Sequence, residues 1–243
     1  MPELPEVQIL VNQLAPRLVR ARIHAVESLD PKIKRDGRLV GRRIEHVRRR
    51  GKNIVVDLSG GLHLLVHLRM TGWFGFDRPK RYRAAIHTTR GTAYFEDARR
   101  LGVMRVVTPG QLDRALKKLG PDPLLAGCDF SGLRTTSRPI KVALLDQRLV
   151  AGVGNIYASE SLWRARIDPR RRSDSLKSAE VRNLGRAIVA SLRRAIAHGP
   201  RIFEAQRFAV YGRKGKACRR CGATIRRLVQ SQRSTYFCPH CQR

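Results

Sequence analysis

Four cysteines restrict what this chain can fold into more than any other feature. They read Cys218-x2-Cys221, sixteen intervening residues, then Cys238-x2-Cys241. Each Cys-x2-Cys turn can offer two thiolates to one ion, and a hairpin between the turns closes the loop, so the spacing indicates a tetrahedral zinc site. Disulfide pairing is the competing arrangement. Bridges within a Cys-x2-Cys turn are strained, however, and a non-secreted chain would not keep them oxidised. Four thiolates leave no open position for water, so the one Zn2+ is expected to be structural. His240 lies inside the second turn as an alternative ligand, and Cys128 stands apart from the cluster.

Charge narrows the partner. Fifty Lys and Arg against 19 Asp and Glu give 243 residues a formal charge of +31. Such a field attracts polyanions and steers them at long range, and duplex DNA carries one phosphate charge per roughly 1.7 Å. An anionic membrane surface or a ribosomal RNA scaffold would also answer to this charge. Aromatic residues make up only 6% of the chain, which weighs against extensive stacking on single strands. No apolar run approaches the roughly 18 residues of a membrane span, and Glu3 and Glu6 interrupt any signal-peptide start. The expected setting is the cytoplasm, at the nucleoid, with no membrane partner.

The pattern along the chain divides it. Leu4 to Ala15 carries Val7, Leu10, Val11 and Leu14 at helical spacing, with Pro16 as the expected stop. Seven β-like runs follow: Arg22–Ser28, Arg43–Val47, Asn53–Leu58, His63–Leu68, Ala84–Thr89, Tyr94–Asp97 and Val103–Val107. Gln111 to Leu119 reads as a short basic helix ended by Gly120-Pro121-Asp122-Pro123. Beyond Asp129 the pattern turns helical, over Ile140–Asp146, Ile156–Arg166 and Ser178–His198. The last places Val181, Leu184, Ile188, Leu192 and Ile196 on one face and ends at Gly199-Pro200. The expected fold is α+β with two domains, an N-terminal β-sandwich with flanking helices and a helical C-terminal domain that ends in a zinc-finger β-hairpin. Expected boundaries are 1–120, a hinge over 121–135, the helical part over 136–209 and the finger over 210–243.

Two segments carry chemistry. Removing Met1 would expose Pro2 as a secondary amine at the chain terminus. An α-amine, with a reference pKa near 7.7–8.0, is about a tenth unprotonated at pH 7, so it is nucleophilic without special tuning. Its adduct with an aldehyde-like carbon must be an iminium, whose fixed charge acidifies the neighbouring C–H. Proline also suits the first turn of a helix, so Pro2 alone does not decide the matter. In Gln147 to Glu160, Gly152 and Gly154 make a tight turn before a helix opening at Asn155. Backbone N–H groups there form an anion pocket, and the Asn155 amide can cap the helix or donate to phosphate; a bare packing corner would look similar.

Taken together, the start Pro2-Glu3-Leu4-Pro5-Glu6-Val7, the run Gly152-Val153-Gly154-Asn155-Ile156-Tyr157-Ala158-Ser159-Glu160, and Val210-Tyr211-Gly212-Arg213-Lys214-Gly215 leading into the cysteine finger resemble the formamidopyrimidine-DNA glycosylase/endonuclease VIII family. The resemblance spans nearly the whole chain, in order. It implies a helix–two-turn–helix second domain and a monomeric enzyme on damaged double-stranded DNA, without a nucleotide cofactor. It further implies that Pro2 attacks the sugar C1′, that Glu3 handles protons at the ring oxygen, and that Glu6 supports that region. Lys52 matches a hairpin lysine on phosphate near the lesion. Met70 matches the apolar residue that fills the gap left by a flipped base, and Arg99 the arginine on the orphaned base. Asn155 and Arg233 match phosphate-gripping residues.

Two departures stand out. Leu101 falls where purine-specific members usually carry a wedging Phe. The connection Pro200 to Ala209 is short where those members have a glycine-containing loop over the extruded base, which implies an open and less selective pocket. The expected activity is that of a bifunctional glycosylase and abasic-site lyase acting by β,δ-elimination. The alternative is a non-catalytic damage-binding or architectural protein on the same scaffold.

Overall fold

The computed structural model describes residues 2–199 and 208–243. The chain forms two compact units, Met1–Lys118 and Leu119–Arg243.

In the first unit, helix α1 (Leu4–Leu18) begins at a capping box in which Glu3 is the N-cap and Glu6 the reciprocating residue, with Pro5 in the first turn. The helix runs through Pro16, two residues beyond its expected stop. A proline this close to the end loses only its own N–H bond to the preceding turn. The final turn still closes, with the Val19 amide on the Ala15 carbonyl at 3.0 Å.

Eight strands follow: β1 (Ile23–Ser28), β2 (Ile44–Arg50), β3 (Asn53–Leu58), β4 (Leu62–His67), β5 (Trp73–Gly75), β6 (Ala84–Thr88), β7 (Gly91–Glu96) and β8 (Val103–Val107). They form two antiparallel four-stranded sheets, ordered β1-β6-β7-β5 and β2-β3-β4-β8. Alternation sends Val26, Ile86 and Phe95 of one sheet, and Ile54, Val56, Leu64 and Val66 of the other, into a common core with Val7, Leu10 and Leu14 of α1. Fully burying each such side chain contributes about 1.5–3 kcal/mol. The opposite face of the second sheet is also apolar: Val55 and Leu65 pack on Leu112 of α2 (Pro109–Leu116). That double burial explains why Ile54, Val55 and Val56 are apolar in succession.

The second unit holds α3 (Ile140–Leu145), α4 (Asn155–Ala165), α5 (Ser178–His198) and the hairpin β9 (Arg226–Gln230)–β10 (Arg233–Phe237). The apolar face of α5 is buried through Val181, Leu184, Ile188 and Leu192. Gly185 is required there, because a Cβ would lie 2.5 Å from the Phe130 ring. The Asn183 amide nitrogen donates to the Ala165 carbonyl at 3.3 Å, fixing the start of α5 against the end of α4. The finger is tied to this body through its last residues. Gln242 Nε2 donates to the Ile167 carbonyl at 2.9 Å and Arg243 exchanges backbone bonds with Arg166 and Asp168. Among the described residues no helix is long and apolar enough to cross a membrane.

Candidate functional site

The start of the chain is built as a fixed platform. Glu3 and Glu6 are 2% and 5% exposed, Pro2 is half-buried, and the Glu3 amide donates to Glu6 Oε2 at 2.8 Å. Two buried carboxylates thus follow directly on the residue that a processed chain would present as its amine. Gly51 and Lys52 make the two-residue turn between β2 and β3. Gly51 has φ +59° and Lys52 does not share the left-handed conformation, the arrangement of a II′ turn. Arg49 ties this turn to the helix, donating from Nε to Gln8 Oε1 at 2.9 Å and from Nη1 to the Gly51 carbonyl at 3.0 Å. The buried Lys52 is therefore held toward the first half of α1 by local sequence and one side-chain bridge.

His67 pairs with Asn53, next to Lys52, and accepts the Arg69 N–H on Nδ1 at 3.1 Å. Burial, with the charges of Arg69 and Lys52, pushes this imidazole down to about 4, so it is neutral near pH 7. An unfolded His takes its proton near 6.5 while the folded one refuses it until about 4, so acidification across that window favours unfolding. Melting curves at pH 7 and pH 4.5 should show a loss approaching roughly 3 kcal/mol, and His67→Gln should remove that part of it.

Met70, Arg99 and Leu101 sit on two loops of the first unit that a single carboxylate joins. Asp97, 5% exposed, accepts the Thr71 hydroxyl, the Gly102 N–H at 2.6 Å and Arg83 Nη1 at 2.9 Å. Thr71 Oγ1 in turn accepts the Arg99 N–H at 3.2 Å. The equally buried Arg83 also donates to Asp30 Oδ2 at 2.5 Å. Burial raises Asp97, but the Thr71 hydroxyl, the Gly102 N–H and Arg83 outweigh it, while Arg100 above all holds Asp30 well below the usual carboxylate range. At the loop tips Met70 is 37% exposed and Leu101 46%, with the left-handed residues Arg69 (φ +56°) and Arg100 (φ +52°) beside them. Non-glycine residues hold that conformation only where surroundings impose it. Asp97→Ala should therefore cost about 1–3 kcal/mol by leaving the buried Gly102 N–H without its acceptor, while Arg83 keeps Asp30.

In the second unit, Gln147 clamps the glycine turn, accepting the Gly152 N–H at 2.8 Å and donating to the Val153 carbonyl at 2.9 Å. Gly154 caps α4, so Asn155 is its first residue and not its cap. Its Nδ2 instead donates to the Ser234 carbonyl at 3.0 Å, and among the described residues its buried Oδ1 has no hydrogen-bond partner. That bond brings Asn155 beside β10, whose first residue is the exposed Arg233. Ser231 (φ +46°) and Gln232 (φ +59°) form the hairpin tip, both left-handed as a I′ turn requires.

Two residues had no role assigned from sequence. The Glu160 carboxylate accepts the amides of Ala209, Val210 and Tyr211 at 2.8, 2.9 and 3.0 Å, anchoring the segment that leads into the finger. Lys141 is fully buried in α3; its signal was a lone cation within Ile140-Lys141-Val142-Ala143-Leu144-Leu145. The shortened connection Pro200 to Arg207 lies outside the described residues.

The four cysteine sulfurs lie within 4.8 Å of one another. Cys218 and Cys241 are 3.9 Å apart and Cys221 and Cys238 are 3.5 Å apart. Tetrahedral zinc with Zn–S near 2.3 Å needs sulfurs about 3.8 Å apart, so the donor set fits one Zn2+. Burial raises the Cys218 thiol, but N–H groups of Trp163, Arg220 and Cys221 outweigh it and bring it down to about 6. Burial and its thiol neighbours push Cys241 up to about 12.

Comparison with known proteins agrees with this arrangement. Residues 1–104 match the formamidopyrimidine-DNA glycosylase N-terminal domain, 119–206 its H2TH domain, and 215–243 the zinc finger found in FPG and IleRS. Formamidopyrimidine-DNA glycosylase of Thermus thermophilus is 41% identical, over 100% of this chain and 98% of its own length. That of Ruegeria pomeroyi is 38% identical, with both chains fully covered. The crystal structure of MutM (Fpg) from Thermus thermophilus superposes with a TM-score of 0.90 at 40% identity, covering 99% of this chain and 98% of that one. The Lactococcus lactis FPG (MutM) in complex with a FAPY-dG containing DNA gives 0.89 at 32% identity, with 99% and 100% covered. A chain matched end to end by all three domains, with its cysteines clustered for one zinc, is a member of the formamidopyrimidine-DNA glycosylase family.

Proposed function

We propose that this protein is a bifunctional glycosylase and abasic-site lyase of base excision repair, acting as a monomer on damaged duplex DNA without a nucleotide cofactor. The observation that carries the reading is Pro2, set immediately before two buried carboxylates at the mouth of α1. Once Met1 is removed, the free amine attacks C1′ of the damaged nucleotide and the base leaves with the glycosidic electron pair. Glu3 delivers a proton to the sugar ring oxygen, which opens the ring and leaves an iminium on Pro2. The iminium acidifies C2′, so loss of that proton expels the 3′ phosphate, and a second elimination expels the 5′ phosphate.

The remaining residues hold the substrate. Lys52, Asn155 and Arg233 grip phosphates around the lesion, with Glu6 supporting Glu3. Met70 and Leu101 fill the vacated stack while Arg99 addresses the orphaned base. Leu101 is a smaller wedge than Phe, and the short connection after Gly199 leaves the lesion pocket open, so several oxidised or ring-opened bases should be accepted. Zinc, when bound, holds the finger; the reaction itself passes through protein groups.

Borohydride reduction in the presence of an abasic duplex tests the mechanism. A covalent protein–DNA adduct and a nicked strand are expected. A protein that binds the duplex but yields neither would be a non-catalytic damage binder.

A further inference from the structure

A groove of about 600 Å3 on the second unit includes none of the residues assigned to the proposed reaction or to DNA contact. It runs between Cys128–Arg134 and the first half of α5, with Val181 and the half-buried Phe130 ring among the residues that line it. Three exposed guanidiniums surround it, from Arg134, Arg182 and Arg186. Arg134 is steadied by a 2.9 Å bond to Ser178 Oγ. Arg182 and Arg186 stand one turn apart on α5, and among the described residues neither has a carboxylate or hydrogen-bond partner. Like charges at that spacing repel and weaken the helix that carries them. The one acid present, Asp129, is already engaged with the Ser131 amide at 2.9 Å and with its hydroxyl.

We infer that this groove docks an acidic peptide segment of a partner protein, with one apolar side chain seated against Phe130 and Val181. Carboxylates at alternate positions of an extended strand are about 6.6 Å apart, which suits two guanidiniums one helical turn apart. Guanidinium forks bind carboxylates in two-point geometry, and the apolar lining selects the anchor. The groove is also removed from the nucleic-acid residues of this unit. The Asn183 bond to Ala165 places it at the C-terminal end of α4, about 15 Å along the helix from Asn155.

The test uses the full-length, zinc-loaded protein and two fluorescein-labelled peptides, Gly-Phe-Glu-Gly-Glu-Gly and the same peptide with Gly in place of Phe. Anisotropy at physiological salt should show at least ten-fold tighter binding of the Phe peptide. The double substitution Arg182→Glu/Arg186→Glu should abolish that preference while leaving nicking of an abasic duplex unchanged, which also certifies the fold. Lys32→Glu/Lys34→Glu, exposed on the other unit, should leave the preference intact and so exclude a general charge effect. Equal binding of the two peptides, or a preference that survives Arg182→Glu/Arg186→Glu, overturns the inference. Displacement of the Phe peptide by undamaged duplex would assign the groove to nucleic acid instead.

Discussion

Protein whose terminal amine is acylated, or from which Met1 has not been removed, should lose both borohydride trapping and strand nicking. Acylation removes the nucleophilic lone pair outright. Retained Met1 moves the amine one residue away, about 3.8 Å from its place beside the Glu3–Glu6 platform, and makes Pro2 an amide. Binding of duplex should persist, because the residues proposed to contact phosphate and both loops are untouched. Pro2→Gly is the milder case. It keeps an amine, but a primary one whose imine can shed its charge, so trapping should fall without vanishing. Glu3→Gln should slow base release by about 10²–10⁴-fold. Combined with acylation it should do no further harm, since groups that act on one intermediate are not additive. Mass spectrometry of the terminus, paired with gel analysis of a labelled abasic duplex, reads all five. Full nicking by an acylated protein would place the nucleophile elsewhere and sink the mechanism.

Stripping zinc should have the second-largest effect and act through a different route. Zinc contributes on the order of 10–16 kcal/mol to small structural sites of this kind, as much as the entire stability of many domains. Cys238 is fully buried and the Cys238 amide is held by Gln242 at 2.8 Å, so Cys238→Ser loses a ligand without room for water to replace it. The β9–β10 hairpin should then lose amide protection, and with it go the presentation of Arg233 and the Ser234 carbonyl that Asn155 holds. Affinity for duplex should drop by about 100-fold, equivalent to roughly 3 kcal/mol. The sandwich should be spared, since its core draws only on the first unit. Hydrogen exchange resolved by segment, with and without chelator, separates the two outcomes. Uniform loss of protection across both units would show that the finger is not an independent support.

Much of this was legible in the residues because the deciding signals were local. Cysteine spacing needs only a hairpin to become a metal site. Short apolar runs in β3, β4 and β6 report burial directly, and α5 carries its apolar face at regular spacing. Pro16 misled because a proline stops a helix only when enough helix remains to break, and one turn from the end it does not. Strand β5 is three residues long, too short to alternate visibly. The Asp97 junction was invisible for a different reason. Asp30, Thr71, Arg83 and Asp97 are far apart in sequence and ordinary in type, and only the pairing of β1, β6, β7 and β5 in one sheet brings them together. Glu160 is similar, since a helical Glu usually faces water, and its three backbone donors arrive from about fifty residues later.

The chain has two tryptophans, and one of them is wired to the metal centre. The Trp163 indole N–H points at Cys218 Sγ from 3.4 Å, and the Arg220 guanidinium lies 4.1 Å over its ring. A thiol, a free thiolate and a zinc-bound thiolate accept the indole N–H with different strengths and so polarise the ring to different degrees. Intrinsic emission is therefore a label-free gauge of metal loading, and substituting Trp73 with Phe would leave Trp163 as the sole fluorophore reporting it.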